Sequence, residues 1–318
     1  MNIVFLDGYT VNPEGEGWDI LISGTDELIV YDRTLPEEVV DKAEDAEVLI
    51  VNKTPLTAEV FAQLPNLRLV CVAATGYDRI DVGAASRHGV KVSNCVGYSS
   101  QSVAQLVASF LLEVTDTVGE YAQANRVGRW QQSPDFCYTL HQRMELFGKK
   151  VAIVGFGHIG QAVAHILAAF GMDIWAVTHK RQEELPEGVR KVTMEEAFHE
   201  ADVVSLHCPL TTDNAGFVNA ALLRKANPHL ILINTARGGL IHEADVAEAL
   251  RENRLKAYCT DVLATEPPQD DCPLLHAPHC LVTPHIGWNT KEARRRILEQ
   301  MAETIRRYKA GQPFHHVD

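Results

Sequence analysis

Three strand-like apolar runs in the second half of the chain each lead into polar residues that could do chemistry. Leu230-Ile231-Leu232-Ile233 runs through Asn234, Thr235 and Ala236 to Arg237, with Gly238-Gly239 behind it. Ala257-Tyr258-Cys259-Thr260 leads to Asp261, and Glu266 stands five residues further on, before Pro267. Leu281-Val282-Thr283 leads to Pro284 and His285. Short apolar runs bounded by turn residues read as buried strands, and ligands of open α/β sheets gather beyond the carboxyl ends of such strands. Together the positions offer a guanidinium fork suited to a planar carboxylate, acids able to orient a base, and an imidazole that titrates near neutral pH.

A fourth run, Val151-Ala152-Ile153-Val154, is followed directly by Gly155-Phe156-Gly157-His158-Ile159-Gly160 and then by a helical pattern over Gln161–Phe170. A Gly-x-Gly-x-x-Gly set between strand and helix is the context for dinucleotide binding. Gly155 permits the tight turn, Gly157 lets backbone approach a pyrophosphate, and Gly160 lets helix pack on strand. The phosphate then sits on free N–H groups of the helix N-terminus. Folds of this kind that select NAD(H) end the next strand in an acid. Here the strand over Asp173–Val177 ends in Thr178-His179-Lys180-Arg181. A hydroxyl and three potentially cationic groups suit a 2′-phosphate, so NADP(H) is favoured over NAD(H).

These groups need a scaffold, and 318 residues with 46% hydrophobic side chains are enough for two domains. Apolar runs alternate with helical patterns nearly throughout, the mark of parallel α/β folds. In the first hundred residues the strands are expected at Ile3–Leu6, Leu28–Tyr31, Val48–Val51, Leu67–Ala73 and Val90–Ser93, with helices at Pro36–Ala46 and Thr57–Leu64, the latter capped by Thr57. A long helix over Ser100–Arg126 is expected to join the two domains, and a last one spans Thr290–Lys309. The expected fold class is α/β: two Rossmann-like or flavodoxin-like domains with parallel sheets and a cleft between them. Residues 1–99 with 287–318 form a substrate domain, and 100–286 form the dinucleotide domain.

The net charge of −13 repels phosphate backbones, which argues against nucleic acid as a partner. It also repels anionic substrates, so an anion site must be built from local cations. Seven scattered cysteines without a CxxC pair argue against a disulfide scaffold or a bound metal. The N-terminus carries no signal-peptide pattern, and no apolar stretch reaches the ~20 residues that span a bilayer. The expectation is a cytoplasmic protein with no membrane partner.

The motifs GFGHIG, NTARGGL, DVLATEP and PHIGW, in this order and spacing, resemble those of the D-2-hydroxyacid dehydrogenases across the whole chain. LDGYTVNP, NKTPLT and VGYSSQSVAQ are most similar to the glycerate dehydrogenase (hydroxypyruvate reductase) group. The resemblance implies a homodimer that reduces hydroxypyruvate or glyoxylate to D-glycerate or glycolate, with hinge closure excluding water. It implies that Arg237 binds the substrate carboxylate and polarises the carbonyl, that His285 exchanges the proton, and that Glu266 orients His285. Asp261 would contact the nicotinamide carboxamide, and Val103, Cys208, Pro209, Thr235, Ala236 and Gly287 would line the cofactor. The backbone of Thr75-Gly76, with Lys53, would take the substrate anion from the first domain.

The chemistry fits: hydride addition to C2 of a 2-oxo acid leaves negative charge on oxygen, which a histidine paired with a carboxylate can protonate. Three alternatives stand beside this reading, a phosphoglycerate dehydrogenase, a formate dehydrogenase and a non-catalytic dinucleotide-sensing protein akin to corepressors. The chain ends 33 residues after His285, which is expected to leave no room for a C-terminal regulatory domain. Formate dehydrogenase, a further relative, carries Gln where this chain has Glu266.

Overall fold

The computed structural model describes residues 1–15 and 17–317. It contains two compact units, Met1–Tyr98 with Asn289–Asp318, and Ser99–Trp288. Among the described residues no helix is long and apolar enough to cross a membrane.

The first unit holds five parallel strands, β1 (Asn2–Phe5), β2 (Glu27–Val30), β3 (Val48–Val51), β4 (Leu69–Val72) and β5 (Lys91–Asn94), in the order β2-β1-β3-β4-β5. This is the flavodoxin-like order, with its switch point between β1 and β3. Strands β3 and β4 are buried at every residue, which is why they read as unbroken apolar runs. Val4, Leu49, Val51, Val70, Val72 and Val92 point to one core, which they share with Phe61 and Ala84.

The helix Lys291–Lys309 belongs to this unit although 192 residues separate it from Tyr98. Thr290 caps it, its Oγ1 accepting from Ala293 N. Arg296 Nε donates to Tyr98 O at 2.7 Å. At the far end Lys309 Nζ donates to both oxygens of Asp26, at 2.7 and 2.6 Å.

The second unit is a seven-stranded parallel sheet of β6 (Lys150–Val154), β7 (Asp173–Val177), β8 (Val189–Lys191), β9 (Val203–Leu206), β10 (Ile231–Asn234), β11 (Ala257–Thr260) and β12 (Cys280–Val282). The order β12-β11-β10-β9-β6-β7-β8 is Rossmann-like, with the switch between β6 and β9. Successive strand residues point to opposite faces, and both faces are covered. Ala152, Val154, Trp175, Val204, Leu232 and Tyr258 enter one core. Val151, Ile153, Ile174, Val203, Ile231 and Cys259 enter the other.

The structure departs from the sequence-based expectations in four places. The edge strand β8 was not anticipated, because of its three residues only Val189 is buried and Arg190 and Lys191 face solvent. The long helix is broken: Thr117 adopts a left-handed φ of 47°, ending Ser100–Asp116 and starting Val118–Arg126. Both pieces lie within the second unit, which begins at Ser99. Pro36 opens a 3-10 turn, Pro36–Glu38, before the helix Val39–Ala43. Thr57 stands at the N-cap of Ala58–Gln63, but its side chain makes no capping bond.

The Asp26–Lys309 pair sets an acid limit for the first unit. Burial alone would raise the Asp26 pKa, but hydrogen bonds from Lys309 and the Ser23 amide outweigh it and hold the value at about 2, against an ordinary 3.8. A depressed carboxylate contributes stability above its unfolded pKa and loses it as pH falls through the folded one. Wild type should therefore lose about 2 kcal/mol from this group between pH 5 and 2. Lys309→Met should flatten that part of the pH dependence in denaturant titrations; an unchanged slope would refute the linkage.

Candidate active site

The register of the second sheet places one residue from each of six strands, all but β8, in a single row: Val177, Val154, Leu206, Asn234, Thr260 and Val282. Every site residue expected in this unit, apart from Val103, follows that row. The parallel pairing therefore brings together segments that lie over a hundred residues apart in the chain, along one edge of the sheet.

At the glycine turn, Gly155 has a φ of 94°, and a Cβ there would come within 2.6–2.7 Å of the backbone of His207 and Cys208. A Cβ on Gly160 would sit 2.2 Å from Gly155 O, where the helix His158–Ala169 leaves the turn. Gly157 differs from both, because a Cβ there would meet no protein atom within 4 Å. The first two glycines let backbones touch, whereas the third leaves open space at a helix N-terminus that no side chain caps. Phe156 is buried in the core, and His158 and Ile159 form the first turn of the helix.

Two buried polar atoms nearby lack a partner: Thr235 Oγ1 after β10 and His207 Nδ1 after β9. The other nitrogen of His207 is 2.8 Å from Ser205 Oγ. Burial pulls the His207 pKa down to about 3, so the ring is neutral at ordinary pH. Its neighbour Cys208 has a thiol raised by burial, and Pro209 follows it. Orphaned donors and acceptors beside an open glycine cradle fit a polar ligand such as a dinucleotide.

In the turn after β7, Lys180 N donates to Thr178 Oγ1 at 3.3 Å and Lys180 Nζ lies 5.9 Å from the centre of the Phe156 ring. His179, between them in the chain, is exposed. Arg181 Nε is paired with Glu184 at 3.1 Å, and Glu184 also accepts its amide. Lys191 of β8, which the sequence reading missed, donates to Lys180 O at 2.6 Å and brings another cation to this turn.

The three strand-end loops of β10, β11 and β12 interlock. Asn234, with no exposed surface, donates to Arg237 O at 2.9 Å and accepts from Ala236 N at 3.0 Å, which shapes the turn carrying Arg237. A Cβ on Gly238 would lie 2.0 Å from Leu263 C, so the Arg237 turn rests directly on the loop that carries Glu266. Asp261, expected at the nicotinamide, makes its described hydrogen bonds elsewhere. Its Oδ1 accepts from Thr283 Oγ1 at 2.6 Å and Ile286 N at 2.8 Å, and its Oδ2 from Gly287 N at 2.7 Å. Ser102 Oγ donates to Gly287 O, and Val103 packs beside Gly287.

Inside that braced turn His285 adopts a left-handed φ of 55°. Such a backbone costs on the order of 1–3 kcal/mol and persists where its surroundings impose it. The result is a contact of 2.6 Å between His285 Nδ1 and Glu266 Oε2, while Glu266 Oε1 accepts from Leu263 N at 3.0 Å. A carboxylate fixed by a backbone amide thus fixes an imidazole, and leaves Nε2 as the ring nitrogen able to exchange a proton.

The first unit holds Lys53, Thr75 and Gly76, at the ends of β3 and β4. Thr75 Oγ1 donates to Cys95 O at 3.0 Å, and the amides of Thr75 and Gly76 donate to no protein group among the described residues.

Known proteins resemble this chain in sequence and fold. Residues 108–287 match the family described as D-isomer specific 2-hydroxyacid dehydrogenase, NAD binding domain. The hydroxypyruvate reductase of Blautia hydrogenotrophica is 39% identical over 322 residues, 100% of each chain. The glycerate dehydrogenase of Methylorubrum extorquens is 35% identical over 285 residues, 89% of each. Among solved structures, the TT0316 protein from Thermus thermophilus matches with a TM-score of 0.86 and 30% identity, covering 100% of both chains.

The glycines give a sharp test. Gly157→Ala should leave the melting temperature unchanged and weaken dinucleotide binding by about tenfold or more, since its Cβ meets only the ligand's space. Gly155→Ala should lower the melting temperature as well. Equal effects of the two on stability, read by thermal unfolding and cofactor fluorescence, would disprove the cradle.

Proposed function

The chain belongs to the D-isomer specific 2-hydroxyacid dehydrogenases, and from that premise we propose that it reduces hydroxypyruvate or glyoxylate to D-glycerate or glycolate, with NADPH preferred over NADH. The observation that carries the chemistry is the 2.6 Å contact between His285 and Glu266 on loops interlocked with the Arg237 turn. The nicotinamide dinucleotide, when bound, supplies the hydride that reaches C2 of the oxo acid. Gly157 and the amides that follow it would hold the pyrophosphate, with Thr235 and the Cys208-Pro209 segment beside it.

Each residue then has one task. The Arg237 guanidinium takes the substrate carboxylate in a fork and draws electron density from the adjacent carbonyl. Protonated His285 gives its Nε2 proton to the carbonyl oxygen as charge develops there, and Glu266 balances the imidazolium before the transfer. In the reverse direction the neutral ring takes that proton back. In the first unit, the amides of Thr75 and Gly76 and the Lys53 cation are assigned to the substrate anion, which supplies local positive potential in a chain of net charge −13. Asp261 acts on the reaction by bracing the His285 turn, and any contact it makes with the carboxamide adds to that role.

The cofactor preference rests on the turn after β7, where Thr178, His179 and Lys180 stand with Lys191 and no carboxylate ends the strand. A homodimer accounts for the exposed apolar side chains Val118, Val127, Trp130, Phe136 and Phe147 of the second unit.

Absorbance loss at the nicotinamide band with hydroxypyruvate, measured in parallel with NADPH and NADH, tests the reading directly. Faster oxidation of NADPH supports both substrate class and cofactor preference, whereas inertness towards hydroxypyruvate, glyoxylate and pyruvate would sink the proposal. His285→Ala should lower turnover by about 10²–10⁴ or more while leaving dinucleotide affinity within a few-fold. Lys180→Ala with Lys191→Ala should weaken NADPH by about tenfold more than NADH; equal losses would remove the 2′-phosphate argument.

A further inference from the structure

Two segments of the first unit, LDGYTVNP and NKTPLT, meet through one side chain. Asp7 stands at the N-cap of the short helix Gly8–Val11, yet its side chain makes no capping bond. Its carboxylate reaches the turn after β3 instead. Oδ1 accepts from Asn52 N at 2.7 Å, and Oδ2 accepts from Lys53 N at 2.6 Å, Thr54 N at 2.8 Å and Thr54 Oγ1 at 3.0 Å. Asp7, Asn52 and Thr54 are 6%, 6% and 5% exposed. The group therefore bridges β1 and β3 at the switch point of the first sheet.

Three consecutive amides that converge on an anion form a concavity of the kind that receives phosphates and carboxylates. Here the chain fills it with its own carboxylate. The arrangement continues to the next strand end: Asn52 Nδ2 donates to Ala73 O at 2.5 Å, and Thr10 Oγ1 donates to Asn52 Oδ1 at 3.3 Å. Ala73 lies two residues before Thr75, whose carbonyl accepts from Asn94 Nδ2 at 2.6 Å. Lys53, on one side of this network, and Thr75-Gly76, on the other, are the groups assigned above to the substrate anion.

We propose that Asp7 is a positioning residue for the 2-oxo acid. It occupies the 52–54 amides so that a substrate carboxylate cannot settle there. It fixes the turn that carries Lys53, and through Asn52 it fixes the end of β4 that carries Thr75 and Gly76. The inference rests on the dehydrogenase reading, in that it names the oxo acid as what these groups receive.

Asp7→Asn turns an amide NH2 or a single uncharged oxygen towards four donors, so the concavity loses its anion while the side-chain volume is kept. The full-length enzyme should show an increase in KM for hydroxypyruvate of about 10- to 100-fold, the size of a lost charge-assisted contact. It should keep kcat within about threefold and NADPH affinity unchanged, and amide hydrogen exchange across residues 50–56 should accelerate. A merely structural role would lower the melting temperature and the active fraction without moving KM. Unchanged exchange at 50–56, or faster exchange with an unchanged KM, overturns the proposal. If Asp7→Asn shows no cooperative melt, Thr54→Val removes one of the four bonds and should raise both KM and exchange by about threefold; no change in either overturns it equally. Failure of the dehydrogenase reading shows separately, as a wild type that consumes neither NADPH nor NADH, and exchange at 50–56 still decides whether Asp7 holds the turn.

Discussion

A carboxylate with only 3% of its residue exposed, as Asp261 has, is tolerable only where hydrogen-bond donors replace the water it has lost. The donors come from Thr283, Ile286 and Gly287, the residues on either side of Pro284-His285. The same bonds that satisfy Asp261 therefore curl the chain around His285 and oppose the cost of its left-handed backbone. Once the turn is held, the imidazole has one place to go, and Glu266 is there at 2.6 Å. The His285–Glu266 contact thus follows from the charge that must be satisfied beneath it.

The first unit uses the same physics at Asp7. Again a buried carboxylate at the end of one strand gathers amides from the loop after its neighbour, and again the gathered loop carries a group proposed to meet substrate. Both devices exploit parallel sheets, in which all strand ends of one kind lie along one edge. A charge placed there can order several loops at once. Glycine supplies the complementary constraint: Gly155 and Gly238 let strand-end backbones touch at distances that no Cβ would allow. The loops are consequently braced by backbone contact as well as by hydrogen bonds.

These local arrangements also reconcile a chain of net charge −13 with an anionic substrate. Long-range repulsion is screened over about 10 Å at 0.1 M salt, whereas a guanidinium fork and free amides act at contact distance. The two buried carboxylates carry part of the negative charge, and both face inward onto amide donors.

Much of the sheet architecture is legible in the apolar runs, because a strand buried on both faces, such as β3 or β4, has no polar residue to confuse its period. The glycine turn, Arg237, Glu266 and His285 are legible for a related reason: each stands at a change from an apolar run to polar residues. The short edge strand β8 was hidden by its exposed Arg190 and Lys191, and the break at Thr117 by a backbone angle that no residue type announces. The partners of charges were equally invisible. Sequence places Arg181 beside Lys180 as one more cation, and only the folded turn shows it paired with Glu184. It places Asp7 and Asn52 45 residues apart, and only the pairing of β1 with β3 puts a carboxylate on those amides. Local pattern and residue chemistry follow from the covalent order of the chain, so the sequence by itself determined which groups are available. Which donor satisfies which buried charge depends on distances set by strand pairing, and that only the tertiary structure could decide.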